Sequence, residues 1–160
     1  MKNAIVEFTA INRRTPVSSV NRIFLFIAHV VTPLLIGAWI YVAWRSPSLF
    51  VFDWLYSLHI DPTPIRASMA IPYIVEYCLP NGFWVYAGTS WMLLVWQHST
   101  PWVYLYLVLG IGMEFGQLIG IVPGTFEWLD ILACLLGFIV SYLVIQKCTK
   151  NISGRHLPSC

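Results

Sequence analysis

Charge is scarce in this chain. Of 160 residues only 10% are Asp, Glu, Lys or Arg, against about 25% in an ordinary soluble domain. So few charges are unable to clothe a water-facing surface. The nine Lys and Arg residues are also too sparse, and too concentrated near the two ends, to build the dense basic face that nucleic acid requires. No nucleic-acid partner is therefore expected. Cysteine is limited to Cys78, Cys134, Cys148 and Cys160. None forms a C-x-x-C pair and the spacing fits no zinc pattern, so neither a metal, a cofactor nor a disulfide framework is expected. The chain has no G-x-S-x-G elbow, no H-E-x-x-H pair and no Cys/His/Asp triad. It also has no internal repeat, and it is too short for a separate soluble catalytic domain.

What is there is apolar. Hydrophobic residues make up 58% of the chain and aromatic residues 16%, which points to lipid as the solvent. An apolar run extends from Ile23 to Trp44, behind Arg13, Arg14 and Arg22. A secretory signal core is only roughly 7–15 residues, so this run reads as a retained span. Later apolar stretches, separated by turn residues, predict an all-α polytopic membrane protein, a four-transmembrane-helix bundle in one domain. The expected spans are 22–44, 82–97, 102–121 and 126–146. Pro33 should kink the first. The 45–81 connection is too broken by proline to span and should carry interfacial helices, with L-P-N-G at 79–82 as the turn into the second span. Residues 1–21 and 147–160 are polar tails. Lys2, Arg13, Arg14, Arg22, Lys147, Lys150 and Arg155 put both tails on the cytoplasmic side, leaving only Arg45 and Arg66 outward.

Ionisable residues inside a span are costly, about 2.5–3.5 kcal/mol at mid-bilayer on insertion scales, and need partners. At 100° per residue, Gly110, Glu114, Gln117 and Ile121 share one face of the third span, and Gly112, Gly116 and Gly120 form a ridge on the opposite face. On the fourth span Glu127, Asp130, Cys134, Gly137 and Ser141 make one small, polar stripe. The short turn between these spans makes them antiparallel neighbours. Their polar stripes are expected to enclose an outward-facing pocket with Glu114, Gln117, Asp130 and Glu127 as ligand-binding residues, and with Thr89 and Ser90 reaching it from the second span. A plainer reading stays open for several of these residues. Glu114 and Gln117 can clamp two helices together, while Thr125 can cap the fourth helix, with Glu127 and Asp130 serving its positive end. Likewise His29 and Cys134 read as structural.

The stretch 114–137, EFGQLIGIVPGTFEWLDILACLLG, resembles the VanZ-like family of small bacterial membrane proteins. Its landmarks there are Glu114, Gln117, Asp130 and Gly137, and L-P-N-G-F-W at 79–84 resembles the loop before a span in the same family. Cys134 stands where the family often has Asn, and Thr125 where many members have Arg. The resemblance implies a multi-pass protein of the bacterial cell (inner) membrane with a glycopeptide-resistance-like role. Three functions are then expected in turn: binding of a membrane lipid or lipid-linked cell-wall precursor; intramembrane hydrolysis by the paired carboxylates Glu114 and Asp130; or packing against a membrane protein partner through Gly112, Gly116 and Gly120. The first makes the chain a binding protein rather than an enzyme.

Overall fold

The computed structural model describes residues 19–45, 50–61, 63, 67–96 and 100–154. The expected tail up to residue 18, Arg66, the turn residues 97–99 and the last six residues lie outside the described residues. Within them every regular element is helical and no strand occurs.

Helix α1 covers residues 19–44 as three continuous stretches: Ser19–Phe26, a π-helical turn Ile27–Val31, and Thr32–Trp44. The π turn is the chain's answer to Pro33, which has no N–H and crowds the carbonyl one turn back. Thr32 donates both its N–H and its hydroxyl to Ile27 O, the hydroxyl at 2.9 Å. A short helix α2, Phe50–Ser57, follows. Phe52 is fully buried while Trp54 and Tyr56 are exposed. It ends in a Schellman motif: Ile60 N–H bonds Leu55 O at 3.0 Å and His59 N–H bonds Tyr56 O at 3.0 Å, with His59 at φ 60°. Beyond it Thr63 N–H donates to Asp61 Oδ1 at 2.9 Å. The Thr63 hydroxyl and this N–H hold the Asp61 carboxyl below its usual range. Ala67 N–H and the Trp44 indole tie the loop back to the end of α1, the latter on Met69 O at 2.7 Å.

Helix α3 spans residues 74–96 and repeats the device of α1. A π turn, Ile74–Cys78, runs into Leu79–Trp96, and Leu79 N–H bonds Ile74 O just before Pro80. The expected turn at 79–82 is thus helix, and the helix begins about two turns earlier than residue 82. Helix α4 opens with a 3-10 turn, Pro101–Tyr104, and continues as Leu105–Leu118. It stops short of the expected residue 121 because Gly120, at φ 74°, takes the left-handed position after the helix. Gly120 N–H bonds Gln117 O at 3.1 Å and Ile121 N–H bonds Gly116 O at 2.9 Å. Helix α5, Trp128–Gly154, is the longest.

Helix α3 is the hub. α1 lies antiparallel against it, with Arg22 Nη2 on Leu94 O at 2.8 Å, the His29 ring on the Tyr86 hydroxyl at 2.7 Å, and Gly37 beside Pro80 and Phe83. Leu94 O is one of the last carbonyls of α3, so Arg22 also complements its negative end. α5 runs parallel to α3 and very close: a Cβ on Gly137 would stand 2.3 Å from Gly82 O. α4 packs on both, and a Cβ on Gly88 would enter the Tyr106 ring. Val85, Ala87, Thr89 and Ser90 are completely buried at the centre of α3.

Two helices are long and apolar enough to cross a membrane, Asn21–Trp44 and Trp128–Thr149. A buried core helix of a soluble protein passes the same test but hides most of its surface. Here only 28% and 22% of the two apolar windows are buried. Ile23, Phe24, Leu35, Trp39, Leu132 and Leu136 all stand exposed, an apolar surface that water does not tolerate on this scale.

Candidate functional site

Polar side chains from four helices gather at the end of the molecule where α1 stops and α5 starts. α1 ends at Arg45, whose guanidinium lies 4.3 Å over the Tyr77 ring and 5.4 Å from that of Tyr41. The π turn of α3 contributes Tyr77 and the fully buried Cys78, and the next turn Asn81; both Cys78 and Asn81 lie beside the Asp130 carboxylate. α4 contributes Glu114, 4% exposed, and α5 contributes Asp130, 8% exposed. Glu127, just before α5, donates its N–H to Glu114 Oε2 over a long 3.4 Å and accepts the Tyr73 hydroxyl on Oε1. Tyr73 stacks on Tyr77, with ring centroids 4.5 Å apart. Cys134, buried one turn below Asp130, touches the bare backbone of Gly110 and lies within electrostatic reach of both Glu114 and Asp130. The positive charge of Arg45 acts on Glu114, Asp130 and Cys78 alike.

A carboxylate oxygen in this cluster is unsatisfied. Asp130 Oδ1 is buried and has no hydrogen-bond partner. Leaving a buried carboxylate oxygen unpaired is expensive, so its presence in a folded protein asks for an explanation. The cluster is acidic overall, with Arg45 as the cation among Glu114, Glu127 and Asp130. Among the described residues no three of His, Cys, Asp and Glu come close enough together to hold a metal ion. The cluster's chemistry is hydrogen-bond acceptance, framed by tyrosine rings.

Of the residues singled out from sequence, Glu114, Glu127 and Asp130 are brought together. Gln117 is not directed at them: its side chain packs on Gly124, where a Cβ would meet it at 2.8 Å. Thr89 is buried but far away. Its neighbour Ser90 bonds Ser141 at 2.8 Å, and Ser141 lies 11 residues, about 16 Å, along α5 from Asp130. Thr125 is exposed and sits ahead of the first turn of α5, so it does not cap that helix. Nor do the three ridge glycines form one packing face. Gly112 has nothing within 4 Å of a would-be Cβ, Gly116 packs on Val122 of its own following turn, and Gly120 lies beyond the helix. The close helix contacts run instead through Gly82, Gly88, Gly110 and Gly137.

Arg45, Tyr73, Tyr77, Cys78 and Asn81 escaped the sequence reading. A basic residue closing an apolar span on the side poor in Lys and Arg was the one available signal. Compared with family models, with curated proteins and with solved structures, the chain finds no match.

Proposed function

We propose that this chain is a VanZ-like, four-span protein of a bacterial cell membrane that binds a lipid or lipid-linked cell-wall precursor in a polar pocket at the Arg45 end, with a glycopeptide-resistance-like role. The observation that carries the reading is the unpaired Asp130 Oδ1, buried among side chains from four helices, inside a body whose outer face is apolar. A polar cluster at one end of a lipid-facing bundle lies where a headgroup can enter while its acyl chains remain in lipid.

Two of the four spans meet the length and hydropathy of a membrane helix on their own. The other two have a physical reason not to. α3 is wrapped by α1, α4 and α5, so its Asn81, Thr89 and Ser90 face protein rather than acyl chains. α4, residues 101–118, is about 27 Å long by rise per residue, near the roughly 30 Å of a hydrocarbon core. The alternation of α1, α3, α4 and α5 puts Ser19 and Gly154 at the same end of the bundle. The distribution of Lys and Arg along the sequence supports reading that end as the cytoplasmic one.

Native mass spectrometry of the full-length protein released from membranes tests the reading. A co-purifying lipid is expected, and its retention should fall in the double variant Glu114→Gln, Asp130→Asn. Protein that carries no lipid at all, or equal retention in the folded double variant, removes the pocket. Labelling of single cysteines introduced beside Arg45 and Lys147 should find them on opposite sides of the membrane.

A further inference from the structure

The same cluster says what kind of headgroup it takes, an inference that rests on the lipid-binding reading. A site for a bare phosphate presents N–H donors and cations. Here the side chains present acceptors: the buried Glu114 and Asp130 and the half-buried Glu127, with Asp130 Oδ1 unused. The fitting occupant of a buried, unpaired carboxylate oxygen is a positively charged donor, since a charge-assisted hydrogen bond both neutralises and satisfies it. The guanidinium of Arg45 lies at the end of α1 against the Tyr77 ring, on the same cluster. A group joining an ammonium to a phosphate meets both.

We propose that the pocket selects a primary ammonium carried beside a phosphate, with the ammonium donating to Asp130 Oδ1 and the phosphate turned to Arg45. Two membrane molecules supply that chemistry, an ethanolamine phospholipid and a polyprenyl phosphate bearing an unacetylated amino sugar. The stacked Tyr73 and Tyr77 rings offer a different recognition, an aromatic face for a quaternary ammonium, and the two differ in what they need. Hydrogen bonding to Asp130 requires N–H groups, whereas an aromatic face prefers a methylated nitrogen.

The test is a headgroup series on the full-length wild-type protein in nanodiscs. Phosphatidylethanolamine, its N-methyl and N,N-dimethyl derivatives, phosphatidylcholine and phosphatidylglycerol, with matched acyl chains, compete in equal amounts, and retained lipid is read by native mass spectrometry. Retention should fall with each methyl group and reach about a tenfold loss at phosphatidylcholine, with phosphatidylglycerol as poor, the size expected for one charge-assisted hydrogen bond. Asp130→Asn should flatten the series. In a second arm, the amino-sugar polyprenyl phosphate competes against retained phosphatidylethanolamine beside its N-acetylated counterpart. Displacement by the free amine alone identifies the sugar as the stronger source, and no displacement identifies the phospholipid. Equal or greater retention of phosphatidylcholine or phosphatidylglycerol by the wild-type protein overturns the ammonium assignment while leaving lipid binding intact. Absence of every lipid from the wild-type protein overturns both. Because the methylation series needs no variant, a poorly folding Asp130→Asn protein does not rescue the idea.

Discussion

The two ends of the bundle treat polar side chains differently. Toward the Arg22 end, the polar groups are paired off between helices: Arg22 on Leu94 O, His29 with Tyr86, and Ser90 with Ser141. Among the described residues the Thr89 and Thr100 hydroxyls lack partners there, and a neutral hydroxyl is far cheaper to bury than a carboxylate. At the Arg45 end the groups are charged, mostly of one sign, and incompletely paired. The first end behaves as structure, since each of these three bonds joins two helices. The second leaves a buried carboxylate oxygen without a partner, an arrangement that a ligand would complete.

The comparison depends on both ends sharing one rigid frame, and the contact most able to break that frame is Gly137 against Gly82. Gly137→Ala sets a Cβ 2.3 Å from a backbone oxygen of α3, which has no rotamer by which to retreat. A loss of about 1–3 kcal/mol is expected, read as a lowered thermal midpoint in detergent. Both ends should suffer, with lipid retention declining along with stability. A variant as stable as the native protein would mean that α3 and α5 are held apart from each other, contrary to the fold described.

Much of the frame was legible in the sequence, and the reasons for the failures are specific. α1 and α5 face outward along most of their length, so their apolar runs are long and their limits came out within a few residues at the ends nearest the site. α3 was misjudged because Pro80, Asn81 and Gly82 have the composition of a turn. The π turn before Pro80 absorbs the missing hydrogen bond, and close packing on α5 requires Gly82 to be small, neither of which periodicity reveals. That single error moved the start of the helix from 74 to 82 and so raised Thr89 by about 12 Å, which is why it was expected at the pocket. The end of α4 failed for a related reason. Gly120 was read as one more packing glycine, when its left-handed backbone is what stops the helix. Glu114, Glu127 and Asp130 were found because one short connection joins their helices. Arg45 and Cys78 come from segments far off in sequence, and only the fold brings them there.

The next effect separates the two ends directly. Ser141→Ala leaves the buried Ser90 hydroxyl without its partner across the helices, a loss of about 1 kcal/mol, while lipid retention stays at the native level. Asp130→Asn should do the reverse. It removes a buried charge that is only partly compensated, so the thermal midpoint should hold or rise, while retention of the favoured headgroup falls. The contrast is measured by thermal unfolding and native mass spectrometry on the same preparations. If Asp130→Asn is the more destabilised of the two, its carboxylate is a structural clamp like Ser141 and the difference between the ends disappears.

The smallest effect belongs to the rim, where the two behaviours meet. Tyr73 is exposed, yet its hydroxyl donates to Glu127, whose N–H in turn reaches Glu114. An exposed hydrogen bond competes with water and adds little to stability, so Tyr73→Phe should leave the thermal midpoint unmoved. The ring stays stacked on Tyr77 in that variant, and only the tether on Glu127 is lost. If the tether serves the pocket, a bound phospholipid should exchange severalfold faster, seen by following replacement of an isotopically labelled lipid in nanodiscs, while equilibrium headgroup preference, set deeper by Asp130, is unchanged. If preference shifts as well, selectivity resides partly at the rim, and the boundary between the paired end and the unpaired one must be drawn closer to solvent than Asp130.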